Sequence, residues 1–127
     1  MPRKVWLIGV GGSGARTLRY AKATLERRLE SLNYRGHFPS GWSLLNLDLP
    51  PATETDEALS SDLVHRREYF GIAPQGKPYR DYDASLMQAR GNREFATWRP
   101  DVSSVWQAPW LGAGQFRAVG RTVLVDE

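Results

Sequence analysis

The sequence predicts an α/β fold, Rossmann-like and three-layered with a parallel sheet, on three observations. Residues 4–10 (KVWLIGV) are a nearly continuous apolar run of β-formers closed by glycine, as a strand buried on both faces would be. From Ser13 the apolar residues recur at three- and four-residue spacing, the period of an amphipathic helix. A second apolar run, residues 42–47 (WSLLNL), follows a loop containing Asn, Gly and Pro. Strand, glycine turn, helix, loop and strand in that order make a βαβ unit, whose crossover is expected to be right-handed.

The first helix runs for about five turns. Its apolar stripe is Ala15, Leu18, the stem of Lys22, Leu25, Leu29 and Leu32, while Arg16, Arg19, Glu26, Arg27 and Glu30 fill the other faces. Residues 33–40 (NYRGHFPS) end it. The second strand stops at Asp48, before Pro50-Pro51. In the middle of the chain, Leu59, Leu63 and Val64 suggest a short helix within 57–67. Residues 69–72 suggest a short strand, and 83–90 a helical turn or two. Asp81 and Asp83, flanking Tyr82, read as turn formers. Trp98, Trp106 and Trp110, interleaved with Pro100 and Pro109, suggest an irregular packed segment whose aromatic rings serve core or covered surface.

After Gly114, the spacing of Phe116, Val119 and Val123 opens a last helix, in which the sequence stops. An amphipathic helix without a C-terminal cap signals an incomplete domain. The expected organisation is one nucleotide-binding domain over 1–127: a βαβ unit in 1–49, a Trp- and Pro-containing segment in 50–110, and a second glycine loop with a helix start in 111–127.

Composition narrows the classes. A chain of 127 residues with 41% apolar and 24% charged residues suits one small folded domain. Its 17 basic residues against 14 acidic ones are scattered, without the dense stripe of a nucleic-acid surface. The absence of cysteine excludes disulfides, thiolate zinc sites and Cys nucleophiles. No apolar stretch approaches the ~20 residues of a membrane span, and the run after the N-terminus is too short for a signal peptide. A cytoplasmic protein with neither nucleic-acid nor membrane partner is expected. His37 and His65 have no His or Cys at ligand spacing, so no metal site is assigned to them.

The chemistry is carried by two glycine loops. Gly9, Gly11 and Gly14 form G-x-G-x-x-G between a strand and a helix, where glycines let backbone approach a phosphate and the helix N-terminus faces the anion. A P-loop is disfavoured because Ala15, not Lys, follows Gly14. A dinucleotide fold wants an acidic residue about 20 positions on, and Asp48 has the right location but comes much later. An activator of ubiquitin-like carriers also combines G-x-G-G-x-G with a strand-ending Asp, yet residues 50–57 (PPATETDE) supply acids without a convincing Arg. The second loop, GAGQFRAVGR at 112–121, also feeds a helix, and two such loops suggest two walls of one anion site. An NAD(P)- or ATP-binding Rossmann-type enzyme and a nonenzymatic interaction module with a degenerate site remain as alternatives.

Taken together, GVGGSG at 9–14, Asn46-Leu47-Asp48 at the end of the second strand, and Gly112-Ala113-Gly114 with Gly120-Arg121 after five intervening residues resemble the tubulin/FtsZ superfamily, in particular its divergent bacterial tubulin-like proteins. The resemblance covers residues 3–49 and 111–127, and the terminal Asp126-Glu127 is similar to the family's acidic helix residues. Arg16 stands where FtsZ commonly has Asn, and Arg117 where it has Pro. The resemblance implies the N-terminal part of a domain binding GTP or GDP with Mg2+. Gly11 would belong to the nucleotide site, and Gly12, Ser13, Gly14, Ala15 and Arg16 would cradle the α- and β-phosphates. Ala113, Gly114 and Gln115 would sense the γ-phosphate, with Gly112 beside them in the nucleotide site, and Asp48 would hold a magnesium-bound water. It also implies nucleotide-dependent filament assembly, through self-association or a partner protein completing the domain. The family's further phosphate loop and its base-binding residues are not found in this sequence, so hydrolysis is expected only in a complete or assembled protein.

Overall fold

The computed structural model describes residues 3–36, 38–52, 62–90, 93–114 and 116–127. In chain order the elements are β1 (Val5–Val10), α1 (Gly11–Ser31), β2 (Trp42–Asp48), β3 (Tyr69–Gly71), α2 (Tyr79–Arg90), α3 (Arg93–Trp98), two 3-10 turns (Val102–Ser104 and Pro109–Leu111) and α4 (Arg117–Asp126). They divide into two compact units, Met1–Asp48 with Ala52–Phe70, and Leu49–Pro51 with Gly71–Glu127.

In the first unit the expected βαβ unit is present. β1 and β2 run parallel in a register from Val5 opposite Trp42 to Val10 opposite Leu47, and the sheet order is β1-β2-β3. Because side chains alternate across a strand, Leu7 and Leu44 point to one face, where they join Ala15, Leu18, Leu63, Tyr69 and Phe38 in a core beneath α1. The opposite face carries Trp6, Ile8 and Val10, which are 61%, 60% and 74% exposed. β1 is thus not a strand buried on both faces: among the described strands it lies at the sheet edge, and its side chains away from α1 are exposed.

α1 ends where the sequence places its stop. Asn33 takes the left-handed conformation (φ 57°), its N–H donates to Glu30 O at 2.9 Å, and Tyr34 N–H donates to Leu29 O at 3.0 Å. These two bonds form a Schellman closure in which Asn replaces the usual glycine. Leu32 lies beyond the packed face and is exposed. The polar-face assignment of Arg19 does not hold, since it is buried. Lys22 likewise buries more than its stem. Its ammonium donates to Glu68 Oε2 at 2.7 Å and to Asp62 O at 2.8 Å, and Glu68 Oε2 also accepts from Val64 N–H at 2.9 Å. The pair ties α1 to the turn before β3. Residues 62–67 form that turn and an isolated bridge from His65 to Tyr69 rather than a helix, while the earlier part of the expected helix lies outside the described residues, as does His37.

In the second unit α2 packs on α4. Their core contains Leu49, Ala73, Tyr82 and Val123, with Ile72, Trp110 and Ala113 against it. α2 is longer than expected because Tyr79, Tyr82 and Leu86, all buried, continue its apolar stripe toward the N-terminus. Asp81 and Asp83 are therefore helical residues, not turn formers, and Asp83 accepts a hydrogen bond from Arg99. The tryptophan segment is more regular than expected. Trp98 ends α3 and lies under the Arg121 guanidinium at 4.0 Å, a cation–π contact. Trp106, by contrast, is 81% exposed.

Lys77 closes the end of α4, donating to Asp126 Oδ2 at 2.7 Å and Glu127 Oε1 at 3.0 Å while lying 4.0 Å from the Tyr82 ring centroid. The hydrogen bond to Asp126, less the cost of burial, raises the Lys77 ammonium above its ordinary value. Burial pushes the Asp126 carboxyl up, but hydrogen bonds from Lys77 and Ser85 and the nearby positive charge outweigh it and hold the group below its ordinary value. Burial also pushes the Tyr82 phenol up to about 12.

Two predictions arise from these ion pairs. Lys22→Met leaves Glu68 with an uncompensated, mostly buried charge and should lower unfolding free energy by about 3 kcal/mol, the low end for breaking a buried pair. Lys22→Met combined with Glu68→Leu should recover most of that loss, as urea denaturation monitored by circular dichroism would show. For Lys77, a depressed carboxyl pKa and a raised ammonium pKa both mean that folding favours the charged forms. The stability lost in Lys77→Met should therefore be largest between the carboxylate and lysine ranges. It should shrink as pH falls through the folded pKa of Asp126, below its ordinary 3.8, and again as pH rises past 10.5 toward the raised pKa of Lys77. Melting temperatures of both proteins across pH measure that difference.

Candidate functional site

The first glycine loop is a direct strand-to-helix junction. Val10, still extended (φ −132°, ψ 129°), is the N-cap of α1, and Gly11 (φ 71°) is the first helical residue. No side chain among the described residues caps α1, and its first turn holds no acidic residue. The opening N–H groups of a helix have no intrahelical acceptor, and with the positive end of the helix dipole they form a ready anion site.

Close backbone contact shapes this junction. A Cβ on Gly14 would lie 2.8 Å from the carbonyl carbon of Gly9, and one on Gly9 would lie 2.9 Å from Gly14 C and O. Only glycine at both positions lets α1 start this near β1. Gly12 and Ser13 are exposed at the tip. The position of a Gly12 Cβ is 3.9 Å from Asp48 Oδ2, so the end of β2 brings a carboxylate beside the loop. Ala15 sends its methyl into the core and can offer an anion only its backbone. Arg16 is exposed on the first turn. The first-loop residues and Asp48 thus form one cluster within the first unit.

Asn46 was not among the site residues expected from sequence. It is fully buried, and neither atom of its amide has a hydrogen-bond partner among the described residues. Its Oδ1 lies 2.5 Å and 3.0 Å from where the Cβ atoms of Gly9 and Gly14 would be. Its sequence signal is the strand period, which puts Asn46 on the same face as Leu44.

The second glycine loop belongs to the second unit. It follows the 3-10 turn Pro109–Leu111 with two left-handed residues, Gly112 (φ 107°) and Gly114 (φ 58°), between which Ala113 packs against the core. Gln107 braces it: Nε2 donates to Leu111 O at 3.1 Å, and Oε1 lies 2.8 Å from the position of a Gly114 Cβ. No feature of the sequence marks Gln107 for this role. Phe116 N-caps α4 without a side-chain hydrogen bond, and the first turn of α4 has no acidic residue. Gly120 faces Ala113, whose Cβ would be 3.7 Å from a Cβ at Gly120. Arg117 is exposed, and Gln115 lies outside the described residues. Each loop therefore opens an uncapped helix, and each is held by its own unit.

No described helix is long and apolar enough to cross a membrane. Among known proteins, a family model described as tubulin-like matches residues 6–127, a span that includes both glycine loops, Asn46 and Asp48. No curated protein and no solved structure matches the chain. With the model covering nearly its whole length and an α/β sheet of the Rossmann-like kind beneath it, the chain belongs to the tubulin-like family.

Proposed function

We propose that this chain is a GTP-binding segment of a tubulin-like protein, its two glycine-rich loops holding phosphates and nucleotide state governing assembly with itself or a partner. The observation that carries the reading is the first loop: an uncapped N-terminus of α1, exposed at Gly12 and Ser13, with the Asp48 carboxylate beside it. The amides of Gly11 to Arg16 suit the α- and β-phosphates, and those of Gly112 to Gly114 suit the γ-phosphate. A carboxylate beside an anion site repels phosphate unless a cation stands between them. Asp48 therefore fits a magnesium ion, held through a bound water, that neutralises phosphate charge. Arg16, exposed on the first turn, can pair with phosphate oxygens.

The residues of this chain bind and orient the nucleotide, and hydrolysis is assigned to a complete or assembled protein. Assembly has a physical basis in the open sheet face of Trp6, Ile8 and Val10, because parallel sheets are covered on both sides in finished domains. Cytoplasmic location and filament growth are part of the same reading.

Titration with a fluorescent GTP analogue and Mg2+, with ATP and NAD as competitors, tests the proposal. Saturable binding displaced by GTP alone is expected. Gly12→Ala is the informative variant, since its methyl would meet only Asp48 Oδ2, at 3.9 Å. It should keep the fold and lose roughly tenfold in affinity, about 1.4 kcal/mol. Gly14→Ala is less informative because its methyl meets Gly9 backbone at 2.8 Å. Asp48→Asn should weaken the dependence of binding on Mg2+. Absence of saturable binding, or displacement by NAD instead, overturns the proposal.

A further inference from the structure

We infer that Asn46 is a positioning residue for the first glycine loop, trading fold stability for the loop geometry that accepts an anion; the inference rests on the phosphate-binding reading of that loop. An amide buried without partners forfeits its hydrogen bonds to water. An apolar side chain of similar size would fill the same space without that cost, so packing alone does not account for an amide at this position. What the amide does contact is the junction itself. Its oxygen occupies the space facing both Gly9 and Gly14, the two residues whose backbones touch where β1 becomes α1. From there it meets the Cα–H side of each glycine, and weak Cα–H···O contacts favour that arrangement.

The base of Asn46 is fixed in turn. Its backbone N–H donates to Glu68 O at 2.7 Å, and Glu68 is anchored by the Lys22 ammonium at 2.7 Å. Two residues further along β2, Asp48 reaches Gly12. The strand thus supports the base of the loop with one side chain and flanks its tip with the next on the same face. Strain and unsatisfied groups held by a rigid surround are a recurrent means of pre-forming a site.

The test compares wild type with Asn46→Leu and with Asn46→Ala, which is smaller and cannot overpack. In nucleotide-free protein, 15N relaxation should show order parameters at Gly11–Gly14 falling from about 0.85 to below about 0.6 in Asn46→Ala, while the rest of α1 stays rigid. Asn46→Leu should melt no lower than wild type yet bind the GTP analogue roughly tenfold more weakly. If Asn46→Leu does not fold, Asn46→Ala supplies both readings. Unchanged loop order overturns the inference, and so does an affinity loss that merely follows a loss of rigidity throughout the first unit. If wild type binds no GTP, the proposed function fails by itself. Loosening confined to Gly11–Gly14 then still supports the positioning role, and its absence refutes it.

Discussion

The backbone contact between Gly9 and Gly14 is the constraint on which the first unit depends. A side chain on either residue would meet backbone atoms at under 3 Å, so the junction exists only because both are glycine. From that contact α1 leaves β1 at once and lies across β1 and β2, burying Ala15 and Leu18 against Leu44. The same geometry puts the unpaired amides of the first turn at the carboxyl end of the strands, where open α/β sheets hold ligands. Close packing of the junction and exposure of the first turn are here one arrangement.

The two helix starts forgo stabilisation that each could have had. A Ser, Thr, Asp or Asn cap typically contributes about 1 kcal/mol to a helix, yet Val10 and Phe116 cap α1 and α4 without a side-chain hydrogen bond. The fixed points of both helices lie elsewhere. Lys22 and Glu68 bind α1 to the turn before β3, and Lys77 gathers Asp126 and Glu127 at the far end of α4. Each unit therefore anchors its helix with an ion pair remote from the uncapped end, leaving that end available.

The βαβ unit and α4 were legible because glycine position, apolar period and stop signals agree in residues 4–48 and 112–126. Even the end of α1 could be read, since Asn33 is among the few residue types that tolerate a left-handed backbone. The middle was harder. Asp81 and Asp83 flank Tyr82 and imitate a turn, though Tyr79, Tyr82 and Leu86 already carry helical spacing. Leu63 and Val64 imitate a helix where tertiary contacts of Leu63, Glu68 and Tyr69 impose a turn. In the candidate site the glycines and Asp48 could be read because their chemistry depends on local pattern. Asn46, which the sequence offered only as part of Asn46-Leu47-Asp48 and as an inward strand position, and Gln107 make their contacts across the fold, and local pattern does not show those contacts.

β1 occupies the end of the sheet order, and its pairing partner β2 is made only after the whole of α1 and the following loop. During synthesis the local turns of α1 can close long before the strand finds its neighbour, because non-local pairing must first meet the entropy of closing that intervening chain. In that interval β1 is an unpaired apolar strand, and afterwards, among the described residues, one of its edges has no partner strand and one of its faces stays exposed. Charged residues flanking such a strand act as gatekeepers against intermolecular pairing. Arg3 and Lys4, both exposed immediately before Val5, stand at that post, which gives these two basic residues a part in keeping the strand from pairing with other chains.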